Sequence, residues 1–196
     1  MTIKEAAERL VSAHAKAGSP LRDYLKPGLM RSEVEERFGA IGLVEPSELV
    51  DLYAWHNGID EERWSADGHR SFLCPLPFER WCSLDKAITD YKRLKNAWQD
   101  TRMFADYLAG HDPGFGYWQT QWFPLFISDE SCHAIDCGGL HTGRVWHFFF
   151  ESGQYREGHA SLIELLGDCT QAFDDGICWW DQARDELTRK PRDEDL

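Results

Sequence analysis

The residue types most able to do chemistry in this chain gather between Cys132 and His147. Cys132 adjoins His133, the pair of types that forms a thiolate–imidazole nucleophile. The surrounding pattern reads as a strand, where successive side chains point to opposite faces, so the two cannot meet within it. Cys132, Cys137, His141 and His147 all carry zinc-binding atoms. They lack the short paired C-x₂₋₄-C and H-x₃₋₅-H units that mark a zinc site. Cys132 and Cys137 also sit an odd number of positions apart, which sends them to opposite faces of a regular strand. Buried structural thiols, with no bound metal, are the expectation here.

Other catalytic signatures are missing. Asp129-Glu130 and Asp174-Asp175 are adjacent carboxylates at turn-like positions, where water ordinarily solvates them. The chain has no G-x-S-x-G nucleophile elbow and no G-x-x-x-x-G-K-[ST] phosphate cradle. Gly114-Phe115-Gly116 lacks the third glycine and the preceding strand of a dinucleotide loop. No catalytic residue and no cofactor is expected, and the chain reads as a non-enzyme.

Binding chemistry has more to work with. Glu61, Glu62 and Asp67 surround Trp64 in a charged stretch, and Trp118 follows Tyr117 in a glycine-rich loop. Tryptophan and tyrosine on loops are frequent anchors at protein interfaces. Trp64 is therefore expected on the surface, while Trp118 reads equally as an anchor or as core beneath a long loop. Asp129 and Glu130 add acidic contacts. Trp179-Trp180 are expected to cover the core.

The elements that must position these residues follow from capping and periodicity. Thr2-Ile3-Lys4-Glu5 is a capping box that opens a helix to about Ala17, stopped by Gly18. Ser32 and Glu35 repeat the pattern for a short helix ending at Gly39 to Gly42. Pro46 suits the first turn of the next helix, which Asn57-Gly58 should close through a left-handed exit. Residues 59–71 read as polar loop, and Phe72-Leu73-Cys74 as a short strand cut off by Pro75. Ser83 caps a long amphipathic helix through Trp98, Phe104 and Leu108. Strands are expected at Trp122 to Ile127, Cys132 to Cys137 and Arg144 to Phe150, then a helix from near His159 through Phe173. Helices segregated from consecutive strands predict an α+β domain with a mostly antiparallel sheet. The divisions are 1–29, an N-terminal helix and loop; 30–180, the α+β domain; and 181–196, a charged tail that reads as frayed.

Composition narrows the partners. Of 196 residues, 42% are hydrophobic and 13% aromatic, enough apolar surface for a core. A net charge of −13 repels phosphate backbones and anionic membranes, which disfavours nucleic acid and lipid. It favours encounter with a basic protein. No apolar run is long enough to span a bilayer. Met1-Thr2-Ile3-Lys4-Glu5 lacks a signal-peptide pattern, so a cytoplasmic protein with six reduced cysteines is expected.

Four local patterns together resemble the SUKH superfamily, which includes fungal cell-wall-assembly regulators and bacterial immunity proteins. Leu43-Val44-Glu45-Pro46 leads into a helix ending His56-Asn57-Gly58. Trp81-Cys82-Ser83-Leu84-Asp85-Lys86-Ala87 is similar to the family's entry into its next helix. Trp122-Phe123-Pro124-Leu125-Phe126 and Cys132-His133-Ala134-Ile135-Asp136 look like its central strands, with Asp136 at a characteristic aspartate. Gly143-Arg144-Val145-Trp146 and Ala160-Ser161-Leu162-Ile163-Glu164-Leu165-Leu166 resemble its closing strand and helix. The likeness covers roughly residues 30–175. It departs where Val44 and Glu45 separate Leu43 from Pro46, and in the long segment between Ser83 and Gln121. It implies an immunity protein that neutralises a cognate toxin, often a basic nuclease, by direct binding. The alternatives are a regulatory scaffold for a host-cell partner, as in the fungal members, and a metal-dependent hydrolase. For Asp136 the sequence favours a carboxylate capping amides of the following Gly138-Gly139 turn.

Overall fold

Thr2 Oγ1 accepts a hydrogen bond from the Glu5 amide at 3.2 Å, and Glu5 Oε2 accepts one from the Thr2 amide at 2.7 Å. This capping box opens helix α1, Ile3–Lys16, as the sequence predicts. The computed structural model describes residues 1–69, 71–77, 79–99 and 118–190. The expected helical positions Phe104 and Leu108 lie outside the described residues.

The chain is an α+β protein. Strand β1 (Leu25–Pro27) pairs antiparallel with β2 (His56–Ile59); between them come α2 (Arg31–Ile41) and α3 (Ser47–Trp55). Helix α4 (Glu61–Ala66) precedes β3 (Arg80–Trp81) and α5 (Leu84–Gln99). Strands β4 (Trp122–Ile127), β5 (Ser131–Asp136), β6 (Val145–Phe149) and β7 (Tyr155–His159) follow, and the five-stranded sheet runs β3-β4-β5-β6-β7, antiparallel throughout. Helix α6 (Leu162–Asp174), capped by Ser161, packs on α1, and the hairpin β8 (Cys178–Asp181) and β9 (Glu186–Arg189) ends the described chain. No helix among the described residues is long and apolar enough to cross a membrane.

The register fixes what shares a face. Strand alternation puts Ser131, His133 and Ile135 of β5 on one side with Val145, His147 and Phe149 of β6. Cys132, Ala134 and Asp136 point to the other side, with Trp122 and Phe148. There Trp122 stacks on Trp146 at 5.4 Å, and Trp118 meets Trp122 and Phe148 edge-on at 5.8 and 5.5 Å. Trp81 and Phe126 come from paired positions of β3 and β4, and they meet Leu10, Leu52 and Leu166 of three helices at an apolar seam. Among the described residues no disulfide joins any of the six cysteines, and burial raises the Cys74 thiol to about 12 and Cys82 to about 11.

Several elements differ from the reading of the sequence. Helix α2 starts a turn's edge earlier, with Met30 as its cap and no side-chain hydrogen bond, because Ser32 is already inside the helix. Pro46 is the cap of α3. Residues 59–71 hold a helix, α4, opened by Asp60 accepting from the Arg63 amide at 3.2 Å. Phe72-Leu73-Cys74 forms no strand. The tail beyond Trp180 is a hairpin through Arg189, tied back by Asp185 to His69 and Ser71; residues 191–196 lie outside the described residues. Trp180 is buried, whereas Trp179, on the opposite face of β8, is exposed.

His14 lies in the core at the end of α1. Its Nδ1 is 3.1 Å from Ser19 Oγ, its Nε2 is 3.0 Å from the Pro75 carbonyl, and its ring sits 4.6 Å from Phe173. The carbonyl can only accept, so Nε2 carries the proton and Nδ1 accepts from Ser19. Burial drives the ring's pKa down to about 4 against a smaller opposing pull from the Pro75 carbonyl. The unfolded chain therefore takes up a proton near pH 6.5 that the folded chain refuses until about pH 4. Stability contributed above pH 6.5 should be lost as pH falls through that window, by about 3 kcal/mol. Urea unfolding of the wild type and of His14→Gln across pH 7 to 4 measures it: the difference between the two proteins should shrink on acidification. A constant difference contradicts the assignment.

Candidate functional site

Two groups of side chains share the corner of the sheet where β3 and the β4–β5 turn meet. The first is acidic, with Glu61 half-buried and Glu62, Asp129 and Glu130 exposed. Glu61 and Glu62 occupy the first turn of α4, and Asp129 and Glu130 form the turn between β4 and β5. Arg80 of edge strand β3 lies between them, its Nε 4.0 Å from Glu61 Oε1 and its Nη2 3.6 Å from Asp129 Oδ1. The Asp129 side chain is 89% exposed. The Arg80 guanidinium also lies 4.3 Å over the Phe72 ring, which is 55% exposed. Such cation–π contact holds the ring at the surface beside the acids.

The second group is half-buried and lies next to it in the chain. Glu79, preceding Arg80, is 3% exposed. Its Oε2 is 2.5 Å from His133 Nδ1, and its Oε1 accepts from Ser131 Oγ at 2.9 Å. His147, the cross-strand partner of His133, brings Nε2 to 3.5 Å from Oε1, near enough for charge attraction but not aimed as a hydrogen bond. The two imidazoles stack at 4.3 Å and 12°. Burial pushes the Glu79 carboxyl up, but the charge and hydrogen bond of His133 and the nearness of His147 outweigh it and hold it well below the usual carboxylate range. Burial lowers the His147 ring, with Glu79 opposing.

The sequence-predicted contact residues divide. Glu61 and Asp129 come together on Arg80 at this corner, and Glu62 and Glu130 are their exposed neighbours in sequence. Asp67 does not: it caps the end of α4, accepts from Tyr24 Oη at 2.8 Å and lies 4.0 Å from Arg63. Trp64 is not an exposed anchor. It is 3% exposed, because amphipathic α4 turns its one large apolar side chain inward onto His69, Tyr24 and Trp180. Trp118 is 4% exposed and belongs to the core. Asp136 is buried and its Oδ1 accepts from the Gly138 amide at 2.9 Å, capping the turn. Asn57 and Gly58 serve as a docking point. The Asn57 Oδ1 accepts from the Leu84 amide at 2.8 Å, satisfying an otherwise orphaned donor at the start of α5.

Phe72, Arg80, Glu79 and His133 were not predicted as site residues. Of these, Phe72 gave a local signal as an aromatic following a polar stretch, and His133 gave one in the alternation of its strand. No protein-family model matches the chain, and no curated protein matches it either. The SUKH likeness therefore rests on the residues quoted for it.

Proposed function

We propose that this chain is a protein-binding domain that docks a basic partner on the corner formed by Glu61, Glu62, Asp129 and Glu130, and that it acts as an immunity protein covering the working surface of a toxin. The observation that carries the binding surface is Arg80, a single cation held between Glu61 and Asp129. It gathers acids from two distant segments into one patch and leaves that patch negative, in keeping with a net charge of −13. Opposite charge speeds the encounter, and a central apolar ring that excludes water holds the complex. Phe72 supplies such a ring at the edge of the acids. The immunity role comes from the SUKH-like layout, and it requires no bond to be made or broken by this chain.

The test is co-expression with the product of the neighbouring open reading frame. A stable complex, and survival of cells that otherwise die from that product, supports the role. No complex and no protection defeats it and leaves the scaffold alternative. Within such a complex, Phe72→Ala should raise the off-rate and weaken binding by about 2 kcal/mol, while unfolding of the free chain stays within about 0.5 kcal/mol because the ring is exposed. Surface plasmon resonance and urea unfolding read the two effects separately. A loss of stability equal to the loss of binding would show that Phe72 is structural.

A further inference from the structure

We infer that Glu79, His133 and His147 form a binding site for one divalent ion of the zinc class. Their donor atoms, a carboxylate oxygen and one ring nitrogen from each histidine, all lie within 4.8 Å of one another. Zinc bonds to imidazole nitrogen and carboxylate oxygen at about 2.0–2.2 Å, so a tetrahedral ion sets its donors roughly 3.3–3.5 Å apart. The 3.5 Å between His147 Nε2 and Glu79 Oε1 is already that separation. The 2.5 Å between His133 Nδ1 and Glu79 Oε2 has only to open to admit the ion.

The polar bookkeeping also favours an ion over a simple ion pair. His133 Nδ1 already makes the close contact with Glu79 Oε2. The His147 ring stacks on the His133 ring at 4.3 Å. His147 Nε2 is buried, faces the carboxylate and has no hydrogen-bond partner among the described residues, an arrangement that normally costs stability. A neutral ring with a free lone pair is what a metal requires. The supporting layer is present as well, because the Ser131 hydroxyl donates to Glu79 at 2.9 Å and orients the carboxylate.

The frame is rigid where it matters. His133 and His147 are opposite each other on paired strands, and Glu79 comes from the segment entering β3. The histidine side chains remain 16% and 17% exposed, so an ion can enter from solvent. Three protein donors leave a fourth position for water, the pattern of sites that stay open to exchange. Soft thiolates take no part: Cys132 lies on the opposite face of β5. The donor set of two imidazoles and a carboxylate suits zinc and its neighbours in the first transition row, not calcium or magnesium.

The experiment uses the full chain after treatment with a chelator. Calorimetric titration with Zn²⁺ should give saturable binding of one ion per chain. His147→Gln and His133→Gln should each weaken it by at least tenfold, whereas His141→Gln, on an exposed turn away from the cluster, should leave it unchanged. Co²⁺ provides a readout free of any mutation, since a low-symmetry nitrogen and oxygen site gives intense visible absorption that Zn²⁺ then displaces. Absence of saturable Zn²⁺ binding overturns the inference, as does binding that survives both cluster substitutions. Circular dichroism of the variants separates loss of the site from loss of the fold.

Discussion

Trp64→Ala should lower the free energy of unfolding by about 3–5 kcal/mol, the cost of emptying a large aromatic site in a packed core. Its indole lies flat on the His69 ring at 3.6 Å and 6°, and meets Tyr24 edge-on at 4.9 Å and Trp180 at 6.3 Å. The Nε1 proton is donated to the Ser71 carbonyl at 2.7 Å. Truncation therefore opens a cavity and strips one face from three rings at once. It also loosens the attachment of the β8–β9 hairpin, because Trp180 stands on β8 and Asp185 reaches His69 and Ser71. Urea unfolding followed by tryptophan fluorescence measures the effect. A loss under about 1 kcal/mol would mean that the indole is exposed in solution.

Gly58→Ala should cost about 2–5 kcal/mol, the sum of two separable penalties. The backbone at Gly58 has φ +75°, a left-handed conformation that an L side chain adopts at about 1–2 kcal/mol. A Cβ there would also stand 2.6 Å from the Cys82 carbonyl carbon and from the Ser83 nitrogen. Those are backbone atoms at the entrance to α5 and cannot swing aside as a side chain would. Gly42 separates the two terms, since it has φ +73° but open space around its missing Cβ. Gly42→Ala should show the conformational cost alone, and Gly58→Ala should exceed it by about 1–3 kcal/mol. Equal costs would remove the close approach from the account.

These two positions show what the sequence carried and what it did not. A left-handed glycine was legible at Gly58, because Asn-Gly after an apolar helix is a strong local signal. Its purpose was not legible. Helix α3 ends at Trp55, and the dipeptide instead sits in β2, where Asn57 caps a helix that begins far along the chain. Trp64 was misjudged because its neighbours in sequence are charged, yet a six-residue helix turns them outward and the indole inward.

The same division holds for the sheet. Trp122–Ile127 was legible as a continuous apolar run, buried at every position. Strand β7, Tyr155–His159, was not, since a polar edge segment containing Gly158 owes its conformation to pairing with β6. The hairpin β8–β9 was hidden by the charges around it. The histidine–glutamate cluster joins residues 54 positions apart, so no spacing rule could find Glu79. His133 and His147 had a usable signal: the alternation that separates Cys132 from His133 also predicts which residues of the next strand share its face. Only the register was missing, and it pairs His133 with His147.

The acidic corner is tested most directly by association kinetics with the toxin-like product of the neighbouring open reading frame. Glu62→Lys combined with Glu130→Lys reverses charge at two exposed positions of the patch without touching the core. At low ionic strength the double variant should associate about tenfold more slowly than the wild type, with little change in off-rate. The gap should close as salt rises and the Debye length falls below about 8 Å. An on-rate that ignores both the substitutions and the salt would contradict the acidic corner as the docking surface.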